Sequence, residues 1–251
     1  MPWVESASRS FRARHDSASL GEAERLLASL ELTREQLHEY FPGTLTGLTV
    51  VLHRSTQSLW LARPVLPVAW LLTAPAARRY LGGWASGQEI HMLTPTVLRE
   101  RASGVAGSLE MLSLTAEALY ARRVVAESNR DLVRRRGPGR ARALLRWSWL
   151  LEGAARWFTG QTDHARPAIA RRLHEGAQPA FPPRPSDALL LGGTVIDLLV
   201  HERGETAAVA LASRLDPKGP VVALRRAFGG TPLVHIEGAW RAHLARIVAA
   251  G

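Results

Sequence analysis

The 251-residue chain contains no cysteine. This absence excludes disulfides, thiolate zinc sites, iron–sulfur clusters and cysteine nucleophiles together. It does not identify a compartment, because a secreted chain of this length is large enough to fold without disulfides. The hydrophobic content of 46% and the charged content of 22% are ordinary for a globular protein. The chain is therefore expected to fold around a full hydrophobic core.

Lysine is nearly absent, since Lys218 is the only lysine and the other 31 of the 32 basic residues are arginines. Such a bias is typical of a GC-rich genome. The formal net charge of +10 therefore predicts, by itself, only weak and non-specific attraction to polyanions.

Long apolar runs are also absent. Residues 1–20 lack the apolar run of about 7–15 residues that a signal peptide requires. The most apolar stretch, residues 65–77, contains two prolines and a threonine and is too short to span a bilayer. These observations predict a soluble, cytoplasmic protein without a membrane span.

The patterns of the first 103 residues mix strands with helices. Alternation of apolar and charged residues predicts a strand over residues 11–15, and the β-branched run 48–53 predicts a second. Helical spacing and capping residues predict a helix from Ser17 or Ser19 to about Tyr40. The remaining predicted elements are helices over residues 57–62 and 70–80 and a strand over residues 89–93.

Residues 104–251 carry mainly helical patterns. They predict one long helix over residues 107–129, a basic loop over 134–140, an apolar helix over 144–158, and further helices over 164–174, 186–203, 205–215, 220–228 and 232–248. We therefore predict an α+β fold in which a small strand-containing part, residues 1–103, packs on a mainly helical part, residues 104–251, as one continuous domain.

The segment 149–160 places one carboxylate, Glu152, in an otherwise apolar helix and follows it with small residues. A buried carboxylate is costly unless it is paired or bound to a metal. One interpretation is that Glu152 pairs with Arg156 one turn later on a half-exposed helix. The other is that Glu152 belongs to a functional site.

This segment resembles the W-L-x-E-G-x-A helix of gluzincin metallopeptidases, in particular the peptidase MA-like family. The order of the other segments is similar to that family as well: an edge strand at 87–93, helical pieces at 198–204 and 223–229, and a C-terminal helix at 233–244. The resemblance implies a gluzincin-like core in which Glu152 stands at the position of the third zinc ligand.

The zinc motif of that family, H-E-x-x-H, is missing from the chain. Residues 109–129, which should carry it, contain no histidine. One register keeps Glu117 as a vestigial general base, with Ala116 and Tyr120 at the lost histidine positions. Another register, over residues 119–123, loses the glutamate too. A lone Glu152 cannot hold zinc, because a catalytic site needs about three protein ligands, so we expect no cofactor.

A cation on the chain itself can take the place of the lost metal. We expect Arg122, Arg123 or Arg146 to lie against Glu152, and these arginines, together with Trp149, are the candidate lining of a binding groove.

These observations favour a zinc-less pseudopeptidase that is catalytically inactive and acts in binding or scaffolding of a protein or peptide, because hydrolysis in this family depends on the metal. An alternative is an active zinc metallohydrolase that assembles ligands from scattered histidines and Glu152. A third is a basic nucleic-acid or polyanion binder, suggested by the arginine-rich run 134–146, although no nucleic-acid-binding motif or phosphate loop is visible.

Overall fold

The computed structural model of the chain describes residues 3–249, apart from the side chain at position 130. The strands in this part are β1 (Trp3–Ala7), β2 (Phe11–Asp16), β3 (Leu48–His53), β4 (Gly83–Ser86) and β5 (Glu89–Leu93). The helices are α1 (Leu20–Tyr40), α2 (Thr56–Ala62), α3 (Val65–Leu72), α4 (Pro95–Glu100), α5 (Ser108–Ser113), α6 (Thr115–Ser128), α7 (Arg130–Arg134), α8 (Gly137–Arg146), α9 (Ser148–Phe158), α10 (Arg166–His174), α11 (Ala188–Arg203), α12 (Glu205–Ser213), α13 (Pro220–Ala227) and α14 (Leu233–Ala249). Three short 3₁₀ turns cover Ser17–Ser19, Pro75–Tyr80 and Gln161–His164.

The five strands form one mixed sheet in the order β1-β2-β3-β5-β4. The central strands β2, β3 and β5 run parallel, and the two edge strands pair antiparallel to their neighbours. Helix α1 makes the crossover from β2 to β3, since a parallel pair needs a long connection. The fold is α+β, as the sequence predicts.

One hydrophobic cluster runs through both the sheet and the helical part. It includes Phe11 of β2 and Tyr120 of α6, whose rings meet edge to face at 5.1 Å, and Trp240 of α14, which is fully buried. No helix among residues 3–249 combines the length and the hydrophobicity that crossing a membrane requires.

Three predicted helices differ from those in the structure. The prediction of one helix over 144–158 is wrong, because α8 ends at Arg146, Trp147 leaves helical geometry with ψ near 11°, and α9 begins at Ser148. The prediction of one helix over 107–129 is wrong, because α5 and α6 are separate and Leu114 between them leaves helical geometry with ψ near 15°. The prediction of a helix over 70–80 is also wrong: α3 begins earlier and ends at Leu72. Ala74 then takes an extended conformation, as residues before proline usually do, and a 3₁₀ turn follows.

The predicted basic loop over 134–140 is a loop only in part. Helix α8 already begins at Gly137, and Pro138 occupies its first turn, where the missing amide hydrogen costs nothing. Two edge strands escaped prediction. Every side chain of β1 is at least partly exposed, so no buried face marks it, and β4 is only four residues long.

Helices α9 and α11 touch through their backbones at Gly153 and Gly192. A Cβ added to Gly153 would lie 2.4 Å from the carbonyl carbon and oxygen of Gly192, and one added to Gly192 would lie 2.4 Å from the carbonyl oxygen of Trp149. No side chain could move to relieve such a contact, since both partners are helix backbone. The small residues after Glu152 thus permit a close helix crossing.

We expect Gly153→Ala to lower the free energy of unfolding by about 3 kcal/mol, at the upper end of the usual cost of overpacking. The measurement is urea denaturation at neutral pH. The matched control is Gly238→Ala, which also changes a helical glycine but whose Cβ meets nothing within 4 Å. That control should stabilise by about 0.5–1 kcal/mol because alanine favours the helix. Equal effects of the two variants would contradict the close crossing.

Candidate functional site

A groove of about 380 Å³ opens between α3, β4, α6, α8 and α9. Its walls are mainly aliphatic and include side chains from α3 and from α8. Three charged residues, Arg122, Glu152 and Arg156, contribute to its lining. The groove therefore combines apolar walls with a small group of charges, as ligand pockets commonly do.

The three charged residues form one ion cluster, called here the Glu152 cluster. The Nε of Arg122 lies 2.6 Å from Oε1 of Glu152, and the Nη2 of Arg156 lies 3.1 Å from Oε2. The side chains of Arg122, Glu152 and Arg156 are only 13%, 21% and 10% exposed. Two cations thus share one carboxylate, which leaves a net positive charge among apolar walls.

Arg156 is fixed on both sides. One terminal nitrogen donates to Glu152, and the other donates to the side-chain oxygen of Gln161, whose amide nitrogen donates in turn to the carbonyl of Met111. Burial lowers the pKa of Arg156, and the Glu152 carboxylate acts in the opposite direction. The predicted pair of Glu152 with Arg156 is thus present, and Glu152 also pairs with Arg122 of α6.

Arg122 has fewer hydrogen bonds than Arg156. Its guanidinium carbon lies 5.1 Å from the ring centroid of Trp84, which is within the range of a cation–π contact. Its Nε is close to Glu152 but is not aligned for a hydrogen bond. Among the described residues its two terminal nitrogens have no hydrogen-bond partner. These nitrogens are donors that the groove can offer to a ligand, together with the hydroxyl of Ser148, which also lines it and has no hydrogen-bond partner among the described residues.

The other predicted groove residues lie elsewhere. Arg123 is buried and pairs with Glu127 at 3.3 Å, and burial lowers its pKa. Arg146 is exposed and donates to a backbone carbonyl at position 218. Trp149 is 1% exposed in the hydrophobic core. Of the four predicted residues, Arg122 is the one that lines the groove.

The structure does not bring Glu117 to Glu152. Glu117 points towards α1, where it accepts a hydrogen bond from Ser29 at 2.5 Å, and burial raises its pKa. Ala116 and Tyr120 are also buried, and the Tyr120 hydroxyl donates to a backbone carbonyl at position 45.

The face of α6 that lines the groove carries Ala118 and Arg122, four residues apart. The two registers considered from the sequence, 116–120 and 119–123, both miss this pair of positions. The physical reason is that buried residues surround α6 almost completely, because the helix contacts α1 and the sheet as well as α9. Periodicity therefore does not reveal which face meets Glu152.

The residues around Glu152 do not fit a zinc ion. Helix α6 has no histidine, and both carboxylate oxygens of Glu152 already contact guanidinium groups. Across residues 3–249, no three or more His, Asp or Glu side chains are grouped so that they could hold a metal.

Trp84 is a groove residue that sequence reasoning missed. It lies in the short strand β4. The glycines at the start of this strand are atypical of a strand, so the sequence pattern does not predict one there. The predicted edge strand at 87–93 follows β4 directly and could have indicated it. An antiparallel partner joined to that edge strand by a tight turn at Gly87 would place Trp84 opposite His91.

A second polar cluster lies outside the groove, at β3 and β5. Nε2 of His53 and Nδ1 of His91 are 3.0 Å apart, and the two rings stack. His91 also contacts Glu89 at 3.1 Å, and Glu89 pairs with Arg63. Burial lowers the pKa of His53 to about 4, with the charges of His91 and Arg63 acting in the same direction. Burial lowers the pKa of His91 as well.

Comparison with protein-family models, with curated proteins and with solved structures gave no match for this chain. The function proposed for the chain therefore rests on the groove and the Glu152 cluster.

We expect Glu152→Gln to lower the free energy of unfolding by about 2 kcal/mol, because it leaves two largely buried guanidinium groups without a counter-charge. Chemical denaturation measures this change. The control is Glu175→Gln, which removes an exposed i,i+4 pair with Arg171 and should cost less than about 0.5 kcal/mol. An unchanged stability of the Glu152 variant would show that the cluster does not hold α6 to α9.

Stability should also fall as the pH drops from 6.5 to about 4, the interval between the ordinary pKa of histidine and that of His53 in the fold. In this interval the unfolded chain binds the proton first, so unfolding becomes easier. We expect His53 to contribute a loss of about 2 kcal/mol. Urea denaturation across this pH range measures it. His53→Gln should flatten the profile, whereas His235→Gln, at an exposed position, should not; an identical profile for His53→Gln would disprove the assignment.

Proposed function

We propose that this chain is a non-catalytic binding protein on a gluzincin-like core, in which Arg122 takes the place of the metal beside Glu152. The observation that carries the proposal is the 2.6 Å contact between Arg122 of α6 and Glu152 of α9. It supports a register in which Ala118 and Arg122 stand at the two histidine positions of the family motif. In that register Leu119 stands at the position of the general base.

The chemistry of these side chains supports binding over hydrolysis. A zinc ion accepts electron pairs from water and lowers the pKa of that water to about 7. A guanidinium group has no such capacity, because it only donates hydrogen bonds and stays protonated. The residues at the proposed motif positions, alanine, leucine and arginine, supply neither a metal ligand nor a general base.

The ligand that suits the groove has an apolar body and one acidic group. The apolar walls, with Leu144 and Leu189 among them, favour burial of aliphatic side chains. The net positive charge of the Glu152 cluster and the free donors of Arg122 favour a carboxylate, which a guanidinium group binds through two parallel hydrogen bonds. A peptide segment with apolar residues and a free C-terminal carboxylate combines both features.

The first test is metal content and hydrolysis. The purified, tag-free chain is dialysed against trace zinc, and its metal is counted by elemental mass spectrometry, in parallel with an assay of peptide cleavage. We expect far less than one zinc per chain and no cleavage. One zinc per chain with cleavage that Glu152→Gln abolishes would overturn the proposal in favour of an active metallohydrolase.

The second test addresses the ligand. The probe is an equimolar pool of peptides that end in Leu, Ile, Val or Phe, prepared with free and with amidated C-termini. Calorimetry should find the free-carboxylate pool bound about tenfold more tightly, the scale of one charge-assisted hydrogen-bond pair.

Arg122→Gln should remove that preference, and Arg142→Gln, the same change at an exposed arginine outside the groove lining, should keep it. Equal binding of both pools would contradict the assigned role of Arg122. Binding of duplex DNA that exceeds peptide binding and falls steeply with salt would favour the polyanion alternative instead.

A further inference from the structure

Helix α3 is apolar on every side and yet is largely uncovered. Its sequence from Val65 to Leu72 contains no charged or hydrogen-bonding side chain other than that of Trp70, and Leu66 is its one buried residue. A helix that is apolar all round is normally buried in a core or in lipid. An exposed apolar patch of this kind marks an interaction surface.

The exposed side chains of α3 continue across the mouth of the groove. Val65, Val68 and Leu72 of α3 and Leu145 of α8 line the groove with exposed side chains, and Leu71 is next to Leu72. Each of these five side chains is at least 43% exposed. These five residues are called here the rim patch.

The segments that carry the rim patch have no negative charge. Residues 53–88 and 132–151 contain no Asp or Glu, and together they hold ten arginines. Arg78 stands 4.4 Å from the ring centroid of Trp70 and donates to the carbonyls at 71 and 73, which holds its charge beside α3. Arg142 is exposed three residues before Leu145 and therefore shares its helix face.

From this pairing of apolar and cationic groups we propose that the rim patch docks on the surface of an anionic lipid bilayer. Helix α3 would lie in the bilayer interface with its exposed apolar side chains among the acyl chains and the arginines at the headgroups, as interfacial helices do. Eight residues measure about 12 Å along the helix, which suits contact with one leaflet. Trp60 and Trp70, whose rings are 6.3 Å apart, are the aromatic residues that such interfaces favour.

The same charges argue against a second copy of the chain as the occupant. Two rim patches face to face would bring together two pairs of segments that contain arginines and no Asp or Glu, and such like-charge contacts oppose association. An anionic membrane surface instead attracts each arginine.

The test is co-sedimentation with vesicles of phosphatidylcholine alone and with vesicles that also contain 30% phosphatidylglycerol. We expect the chain to bind the anionic vesicles, and the double variant Leu71→Asp and Leu72→Asp to lower the partition coefficient at least about tenfold. The matched control is Leu32→Asp with Val234→Asp. It makes the same charge change at side chains that are 62% and 69% exposed, compared with 65% and 63% at Leu71 and Leu72.

The control should lose much less binding than the rim variant. An equal loss in both variants would mean that net charge alone attracts the chain, and would overturn the proposal. So would the absence of binding to anionic vesicles, or a concentration-dependent dimer that only the rim variant dissociates.

A second measurement on the unaltered fold uses vesicles with bromine-labelled acyl chains, which quench tryptophan fluorescence at close range. We expect quenching of the wild-type chain and weaker quenching of Trp70→Phe. No quenching when the protein is bound would show that α3 stays outside the bilayer. Since this surface lies outside the Glu152 cluster, a failed peptide-binding test leaves the result unaffected.

Discussion

The backbone contact between Gly153 and Gly192 is the constraint on which the site depends. It holds α9 at a separation from α11 that side chains at these positions would not allow. Glu152 directly precedes this contact and Arg156 follows it within one turn. The position of the carboxylate in the groove is thus set by backbone packing, and the arginine of α6 meets a carboxylate that has little freedom to move.

A second constraint on the site is electrostatic. A carboxylate in an apolar helix requires compensation, because the interior solvates a charge far less well than water does. Here two guanidinium groups from two helices supply it, so the Glu152 cluster also links α6 to α9. One excess positive charge remains among aliphatic walls. In the proposed function this excess positive charge selects a carboxylate ligand. A metal at the same position would instead activate water.

Exposed apolar side chains and arginines lie close together at the groove. Helices α3 and α8 both line the groove, and the segments 53–88 and 132–151 that carry them contain arginines and no Asp or Glu. Several carboxylates elsewhere in the described part of the chain pair with arginines, as Glu237 does with Arg241. The two proposals thus concern different parts of one feature: the peptide proposal rests on the interior of the groove, and the lipid proposal rests on its rim.

Much of the local structure was predictable, because it depends on neighbours in sequence. The strands at residues 11–15, 48–53 and 89–93, the first helix and the α+β class follow from short-range patterns of apolar residues, β-branched residues and caps. The pair of Glu152 with Arg156 follows from helical spacing alone. The edge strands and the break at Leu114 did not follow, since neither interrupts the apolar pattern visibly.

The order of the residues is enough to show that a carboxylate stands in an apolar helix without the histidines that would make it a zinc ligand. Which of the three candidate arginines meets that carboxylate depends on how the helices pack. Arg122, Arg123 and Arg146 are equivalent in chemistry. The rotation of α6 against α9 turns Arg122 into the groove and Arg123 towards Glu127, whereas Arg146 ends α8 and donates to the carbonyl at position 218. That rotation is set by packing of a helix that is buried on most of its surface. Local spacing contains no record of it, because buried or half-buried residues occupy every side of α6.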